Sequence, residues 1–245
     1  MNLLVDIGNS GIKWACYDRA LERGGTVPLQ LPLAERLASA WGGIPVPRGI
    51  FVSNVAGPAV ADEVVNYCRG HWSVVPEFMT VDRDCNGLVN AYAEIEQLGI
   101  DRWLAMLAGW TRHRTSLCVV DCGSAVTLDL VLAGGRHLGG YVIPGAYMMQ
   151  EMLISNTSGI RAEPGGPAGT GPGDSTQACL RNGTHLAVAA MIDRVMMDCH
   201  SRYAEDFRCL ITGGGAAATT ELMTVPCIHE PDLVLQGIAI AAGIA

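Results

Sequence analysis

Two segments of the chain share one pattern of apolar and polar positions. In the first, the apolar residues 3–5 run into the polar turn Asp6-Ile7-Gly8-Asn9-Ser10-Gly11, and residues 12–17 are again mostly apolar. In the second, residues 117–120 run into Asp121-Cys122-Gly123-Ser124, and the apolar residues 125–131 follow. Two strand-like runs around a Gly-containing turn predict a β-hairpin. Because one such hairpin opens each half of the chain, the pattern predicts a duplicated domain.

The remaining pattern alternates strand-like and helical segments, which is typical of layered α/β architecture. Strand-like runs lie at residues 50–54, 72–75, 137–143 and 209–212. Helical periodicity lies at residues 104–110, 144–154 (with Pro at its start), 176–200 and 233–244. Residues 161–174 are rich in Gly and Pro and have no periodicity, so they form a long loop of a kind that is usually functional or mobile. We place the lobe boundary near Ser116, which gives lobes of residues 1–115 and 116–245.

Composition narrows the class of protein. Of the 245 residues, 49% are hydrophobic and 16% are charged, which is typical of a compact globular protein. No apolar run reaches the roughly 18 residues of a membrane span, and the first residues lack the basic and long apolar regions of a signal peptide. The nine cysteines are scattered without a Cys-x-x-Cys pair. We therefore expect a cytoplasmic protein in a reducing compartment, without zinc, disulfides or a membrane partner.

The net charge of −8 argues against a nucleic-acid partner, whose affinity depends on clustered Lys and Arg. It leaves phosphate binding open, because backbone amides in Gly-rich turns can hold an anion. Of the 16 basic residues, Lys13 is the only lysine, and it falls on the second strand of the first hairpin. A compact ammonium acts on phosphate oxygens as a point charge that a planar guanidinium does not replace. Lys13 is therefore a candidate phosphate ligand, and a solvated strand lysine is the alternative.

The turn at residues 6–11 follows a buried strand, and Gly8 and Gly11 allow positive φ and close backbone approach. It lacks the Walker A pattern. An ordinary hairpin turn is the alternative, but a second Asp-x-Gly turn at Asp121 suggests that the two turns hold a polyphosphate. Residues 211–216 form a strand that runs into three glycines, where adenine could lie against the backbone or where a helix simply begins.

Asp101 and Arg102 follow Gly99 at the start of an amphipathic helix. As an N-cap, Asp101 would accept a backbone N–H group. As a functional residue, it would orient a substrate hydroxyl and accept its proton, because phosphoryl transfer has a loose transition state for which an ordinary carboxylate suffices. The sequence leaves both interpretations open.

Together these motifs resemble a known family. The paired Asp-x-Gly turns and the Gly213-Gly214-Gly215 turn resemble the acetate kinase, sugar kinase, heat-shock chaperone and actin superfamily. More specifically, Tyr92, Gly99-Ile100-Asp101-Arg102, Asp121-x-Gly123-Ser124-Ala125 and Asp174-Ser175-Thr176 resemble type III pantothenate kinase. The resemblance extends from Asp6 to the C-terminal helix, and the chain is too short for the insertions of sugar kinases, actins and chaperones.

The resemblance implies a fold and a set of site residues. The fold would be two similar ribonuclease H-like (actin-like ATPase) lobes, each a mixed sheet flanked by helices, with the active site in the cleft between them. ATP would contact Asp6, Ile7, Gly8, Asn9, Ser10, Gly11, Ile12, Lys13 and Ser124. Pantothenate would contact Tyr92, Gly99, Ile100, Asp101, Arg102 and Thr176. Family members commonly have Thr at the position of Ser124, so the hydroxyl is kept.

The resemblance also implies the chemistry. Asp101 would accept the proton, Mg²⁺ would accompany ATP near Asp6, and Asp121 would bind K⁺ or NH₄⁺. The product would be 4′-phosphopantothenate in the first step of coenzyme A synthesis, and the protein would be a homodimer. A kinase of another small hydroxy acid, or a nucleotide-binding regulatory protein like the accessory factors described among relatives, are the alternatives. The intact Asp101-Arg102 pair favours the enzyme.

Overall fold

Each half of the chain folds around a five-stranded mixed sheet, and the two sheets have the same strand order. The computed structural model describes residues 1–30 and 32–245. It divides into two compact units, one formed by Met1–Arg112 with Asp232–Ala245 and the other by His113–Pro231. The duplicated topology agrees with the duplicated hairpin pattern of the sequence.

The first sheet has the order β3-β2-β1-β4-β5. Its strands are β1 (Asn2–Ile7), β2 (Gly11–Tyr17), β3 (Leu21–Pro28), β4 (Ile50–Asn54) and β5 (Glu77–Phe78). The first three strands pair antiparallel, and β4 and β5 continue from β1 in parallel. The helices of this unit are α1 (Ala34–Trp41), α2 (Pro58–Trp72), α3 (Ile100–His113) and α7 (Leu233–Ala241). A small hairpin, β6 (Asp84–Cys85) and β7 (Leu88–Val89), and the 3₁₀ turn Ile95–Gln97 precede α3.

The core of the first unit follows from strand alternation. Leu3, Val5 and Ile7 of β1 lie on one face of the sheet and pack with Leu37 of α1 and Val64 of α2. Alternate side chains of a strand point to opposite faces, so Leu4 and Asp6 lie on the other face. The C-terminal helix α7 packs against β1 and β4, and since α1 and α2 cover the Leu3 face, α7 covers the opposite one.

The second sheet repeats this arrangement in the order β10-β9-β8-β11-β12. Its strands are β8 (Leu117–Cys122), β9 (Ala125–Val131), β10 (His137–Pro144), β11 (Arg208–Thr212) and β12 (Cys227–His229). Again three strands pair antiparallel and two continue in parallel. The helices are α4 (Ala146–Asn156), α5 (Thr176–Tyr203) and α6 (Ala216–Thr220). Alternate residues of β8 and β9 pack with Val188, Ile192 and Val195 of α5.

Three expectations differ from the structure. The strand predicted at residues 72–75 is wrong, because α2 continues to Trp72 and ends where Ser73 adopts a left-handed backbone with φ 59°. Helix α4 starts after Pro144, which instead ends β10. The lobe boundary also differs: α7 was expected in the second lobe, but its almost entirely buried apolar residues complete the first unit.

None of the helices in the described part of the chain combines the length and the hydrophobicity that a membrane crossing requires.

Because α7 packs in the first unit, we expect alanine substitutions at two helical glycines to change the free energy of unfolding in opposite directions. A Cβ added at Gly237 would lie 2.1 Å from the carbonyl oxygen of Leu104 in α3, whereas one added at Gly70 of α2 meets nothing within 4 Å. We expect Gly237→Ala to lower the free energy of unfolding by about 2 kcal/mol through overpacking. We expect Gly70→Ala to raise it by up to about 1 kcal/mol. Urea unfolding measures both, and equal effects would contradict the packing of α7 on α3.

Candidate functional site

The first candidate phosphate-binding turn joins β1 to β2. The Gly8 N–H group donates to the Gly11 carbonyl over 3.0 Å, so the turn is closed with Asn9 and Ser10 exposed at its tip. In the strand register Asp6 lies directly opposite Lys13. Directly opposed residues of antiparallel strands project from the same face of a sheet. The hairpin therefore places a carboxylate and an ammonium group on the same face of the sheet, near the turn where Asn9 and Ser10 are exposed.

Three other residues of this hairpin, Ile7, Gly11 and Ile12, have roles in packing. The side chains of Ile7 and Ile12 are fully buried in the core, so a ligand could reach these two residues only through their backbone. Gly8 and Gly11 do not use the positive φ that glycine allows. Gly11 is instead a position of close approach, because an added Cβ would lie 3.0 Å from the Val27 carbonyl oxygen on β3.

The candidate substrate residues of the first unit lie together at the start of α3. The Arg102 Nη1 atom donates to the Tyr92 hydroxyl over 3.2 Å, and the guanidinium carbon lies 5.9 Å from the centre of the Tyr92 ring. A Cβ at Gly99 would lie 2.6 Å from Asp101 Oδ1, so glycine leaves room for the carboxylate. The structure thus brings Tyr92, Gly99, Asp101 and Arg102 into one cluster, with Ile100 buried behind it.

Asp101 lies inside α3 and not at the N-cap position that the helix-cap interpretation predicts. Helix α3 begins at Ile100, and Trp103 donates its N–H group to the Gly99 carbonyl over 3.1 Å. Asp101 is therefore the second helical residue, and its Oδ1 atom accepts the Arg102 N–H group over 2.8 Å. N–H groups of a first helical turn favour a negative charge. This placement stabilises an ionised carboxylate beside Arg102.

Sequence reasoning missed the hairpin that carries Tyr92. Between β6 and β7, Asn86 and Gly87 have φ of 53° and 80°, the pair of positive values that a type I′ turn requires. The Asn-Gly dipeptide is a strong hairpin signal that could have revealed this element. It also missed Arg83 and Asn90, which flank the hairpin and bond the backbone around Tyr92. No local pattern marks these two residues.

In the second unit the Asp121 turn and the triple-glycine turn lie against each other. Asp121 is opposite Thr212 in the β8–β11 register. The Gly215 N–H group donates to the Cys122 carbonyl over 2.9 Å. Gly213 has φ of 92°, and an added Cβ there would lie 2.4 Å from Asp121 Oδ1. Two motifs that are 92 positions apart in the sequence therefore form one backbone-lined corner beside a half-buried carboxylate.

Ser124 lies at the tip of the same turn. Gly123 donates its N–H group to the Ala125 carbonyl over 3.0 Å, and Gly145 donates to the Ser124 carbonyl over 2.8 Å. These bonds fix the backbone around the Ser124 hydroxyl. The neighbouring Cys122 is buried, and burial raises the pKa of its thiol to about 12. This thiol therefore stays protonated and structural at neutral pH.

Thr176 is the first residue of α5 and is exposed. Ser175 caps this helix by accepting the Ala178 N–H group over 3.3 Å. The loop predicted at residues 161–174 is irregular, as expected, and amide side chains of α4 and α5 bond its backbone. Gln177 exchanges two hydrogen bonds with Glu163, Gln150 accepts the Gly165 N–H group over 2.7 Å, and Asn182 bonds Gly169 and Gly171.

Comparison with known proteins gives a consistent family. A sequence model described as type III pantothenate kinase matches residues 2–198. A protein of that description from Nitrosococcus oceani is 38% identical over 246 residues, which is 98% of this chain and 92% of that protein. Another from Alcanivorax borkumensis is 34% identical and covers 97% of both chains.

Two solved structures show the fold. A Campylobacter jejuni protein described as a Baf family transcriptional activator superposes with a TM-score of 0.61 at 19% identity, over 98% of this chain and 97% of that one. The Clostridium difficile activator of 2-hydroxyisocaproyl-CoA dehydratase, with bound ADPNP, gives a TM-score of 0.53 at 11% identity, over 99% and 94%. With the duplicated sheets, these matches confirm the predicted fold of two similar actin-like ATPase lobes.

The packing around Asp121 predicts that alanine substitutions at Gly213 and Gly214 will have different effects on thermal stability. Gly213→Ala would need positive φ and would place its Cβ against Asp121, whereas a Cβ at Gly214 meets nothing within 4 Å. We expect Gly213→Ala to destabilise the protein by about 1–3 kcal/mol, which lowers Tm by several degrees. Gly214→Ala should leave Tm nearly unchanged. Differential scanning fluorimetry makes the comparison, and a normal Tm for Gly213→Ala would contradict this account of the corner.

Proposed function

The chain belongs to the type III pantothenate kinase family, and we propose that it transfers the γ-phosphoryl group of ATP to pantothenate. The products are ADP and 4′-phosphopantothenate, and the reaction is the first step of coenzyme A synthesis. The family match over residues 2–198 supports this assignment. The structural observation that carries it is the cluster of Tyr92, Asp101 and Arg102 at the start of α3, where a carboxylate lies beside a cation and a hydroxyl.

On the nucleotide side, we assign the phosphates to the β1–β2 turn. The proposed ligands in the first unit are Asp6, Ile7, Gly8, Asn9, Ser10, Gly11, Ile12 and Lys13. Ser124 is proposed as an ATP ligand on the basis of the family resemblance. Ile7 and Ile12 contribute only backbone, because their side chains are buried. Lys13 places a point charge on phosphate oxygens, where charge develops during transfer. The Asp6 carboxylate, with 9% of its surface exposed, offers the hard oxygen that Mg²⁺ prefers, and bound Mg²⁺ neutralises phosphate charge.

On the substrate side, Asp101 orients the hydroxyl of pantothenate and accepts its proton late in the transfer. Arg102 and Tyr92 hold the polar part of pantothenate, and Gly99 and Ile100 contribute backbone. Thr176, in the first turn of α5, is proposed as a further substrate-binding residue on the basis of the family resemblance. The first-turn N–H groups of α3 favour the negative charge of Asp101, and a proton acceptor requires that charged form.

We further propose that Asp121 binds a monovalent cation, K⁺ or NH₄⁺. Its half-buried carboxylate lies close to Gly123 and Gly213. A carboxylate with nearby carbonyl oxygens suits a hard cation. A cation there adds positive charge close to the proposed ATP-binding Ser124.

A homodimer is proposed from an exposed apolar surface of the second unit. We call α4 and its neighbouring strand β10 the α4 face, and five of their large apolar side chains are exposed: Tyr141, Val142, Tyr147, Met152 and Leu153. These side chains are 41–58% exposed. Exposed large apolar side chains on two packed elements are compatible with a protein interface. A second copy of the chain is the occupant that the family resemblance favours. The cytoplasmic location stays a prediction.

The reaction is tested by coupled measurement of ADP release with pantothenate and with near analogues that carry a hydroxyl. We expect turnover with pantothenate that requires Mg²⁺ and rises when K⁺ or NH₄⁺ replaces Na⁺. Turnover only with another hydroxy acid would identify a different kinase. ATP binding without phosphoryl transfer would favour a regulatory nucleotide-binding protein. Full activity in Na⁺ alone would remove the role of Asp121.

The variant Asp101→Asn separates the catalytic role from a structural one. Asn keeps the size and the Oδ1 acceptor for the Arg102 N–H group but removes the charge and basicity. We expect kcat to fall by roughly 10²–10⁴, while Tm and ATP affinity stay near the wild-type values. The control is Asp62→Asn, an exposed aspartate in α2. Normal turnover of Asp101→Asn would mean that another group accepts the proton.

The dimer is tested by placing a charge on the α4 face. We expect Met152→Glu to shift the protein from dimer to monomer in light scattering at micromolar concentration, because a buried, unpaired carboxylate opposes association. Met197→Glu is the matched control, since Met197 is 65% exposed on α5 and outside the α4 face. A wild-type monomer with full activity would contradict the dimer, and an unshifted Met152→Glu dimer would place the interface elsewhere.

A further inference from the structure

Arg83 and Asn90 close the base of the β6–β7 hairpin. Asp84 pairs with Val89 and Cys85 with Leu88, and the Asn90 N–H group continues the ladder by donating to the Arg83 carbonyl over 3.0 Å. Leu88 is fully buried. At the other end, the Trp110 indole donates to the Asn86 carbonyl over 3.2 Å, which ties the turn to α3. The hairpin is therefore fixed at both ends.

The Arg83 side chain folds back over the segment that follows the hairpin. Its Nη1 atom donates to the carbonyl oxygens of Tyr92 (2.5 Å) and Asn90 (3.4 Å), and its Nη2 atom donates to that of Ala93 (2.7 Å). All of these acceptors are backbone carbonyls. A planar guanidinium presents its donors in a rigid fork, so one side chain can hold consecutive carbonyls. The ammonium of lysine has no such fork.

Asn90 holds the same peptide from its other side. Its Oδ1 atom accepts the Tyr92 N–H group over 2.9 Å, and its side chain is buried. The N–H and C=O groups of Tyr92 are thus both bonded by residues at the base of the hairpin. The Tyr92 hydroxyl accepts a bond from Arg102, the residue next to Asp101. The contacts form a closed path from α3 through the hairpin and Tyr92 back to α3.

We propose that Arg83 is a positioning residue for substrate recognition, acting through the backbone of residues 90–93 to hold the Tyr92 ring against Arg102. This inference rests on the proposed function, in which Tyr92 and Arg102 contact the small hydroxy-acid substrate. Within the described residues, the Arg83 side chain donates to backbone carbonyls of residues 90–93. Its loss therefore weakens binding of the hydroxy acid, while the nucleotide turn and the proton acceptor stay in place.

The kinetic test uses Arg83→Ala and Arg83→Lys, with Arg194→Ala as the control because Arg194 is an exposed arginine that pairs with Asp198 along α5. We expect both Arg83 variants to raise KM for pantothenate about tenfold, which equals the loss of one charge-assisted hydrogen bond. KM for ATP and kcat change little. In a Tyr92→Ala background, Arg83→Ala should raise KM by less than about twofold further, because the pair acts as one unit.

Hydrogen–deuterium exchange provides a readout that does not depend on activity. We expect the amides of residues 90–93 to exchange about tenfold faster in Arg83→Ala, while those of β1 and β2 stay unchanged. If the wild-type protein does not phosphorylate pantothenate, the proposed function fails and exchange alone decides the role of Arg83. Unchanged exchange at residues 90–93, an unchanged KM for pantothenate, or full rescue by Arg83→Lys would each overturn the proposal.

Discussion

The register of the β1–β2 hairpin is the constraint on which the proposed nucleotide site depends. Pairing Ile7 with Ile12 buries both isoleucines and sets Asp6 opposite Lys13 on the other face. A shift of β2 by one residue would exchange the faces of that strand and bury Lys13 in the core. The cost of burying that charge therefore favours the register that the site requires. The second unit uses the same device, since Asp121 lies opposite Thr127 while Cys122 and Val126 are buried.

The substrate side is built differently, from backbone bonds and a helix start. At α3, glycine at position 99 leaves room for the Asp101 carboxylate, and the first-turn N–H groups favour its charge. The Tyr92 ring comes from a separate hairpin and is held to Arg102 by a hydrogen bond and by its ring face. A loose phosphoryl-transfer transition state needs only an ordinary carboxylate to orient the hydroxyl and accept its proton late. Positioning is then the main task of the surrounding residues.

The sequence predicted the parts of the fold that short-range patterns encode. Both hairpins, the strand at residues 50–54 and the long helix from Thr176 were predicted because alternation and helical spacing are local properties. The C-terminal helix was predicted as a helix but assigned to the wrong neighbours, since its packing on β1 joins residues more than 200 positions apart. The strand predicted at residues 72–75 was wrong because the pair Val74-Val75 is typical of a strand, although it directly follows a helix that ends at Trp72. The clustering of Tyr92 with Arg102 confirms only their proximity; their proposed contacts with substrate stay a prediction.

The most direct test of this account concerns Lys13, because the hairpin register sets its position opposite Asp6. Steady-state kinetics of Lys13→Met and Lys13→Arg with ATP and pantothenate measure the contribution of the ammonium. We predict that Lys13→Met lowers kcat/KM by roughly a hundredfold or more, the scale of one positioned electrostatic donor, with an unchanged Tm. Lys13→Arg should restore only part of this loss, since a planar guanidinium does not replace a point charge. Near-normal kinetics of Lys13→Met would contradict the account and make Lys13 an ordinary strand lysine.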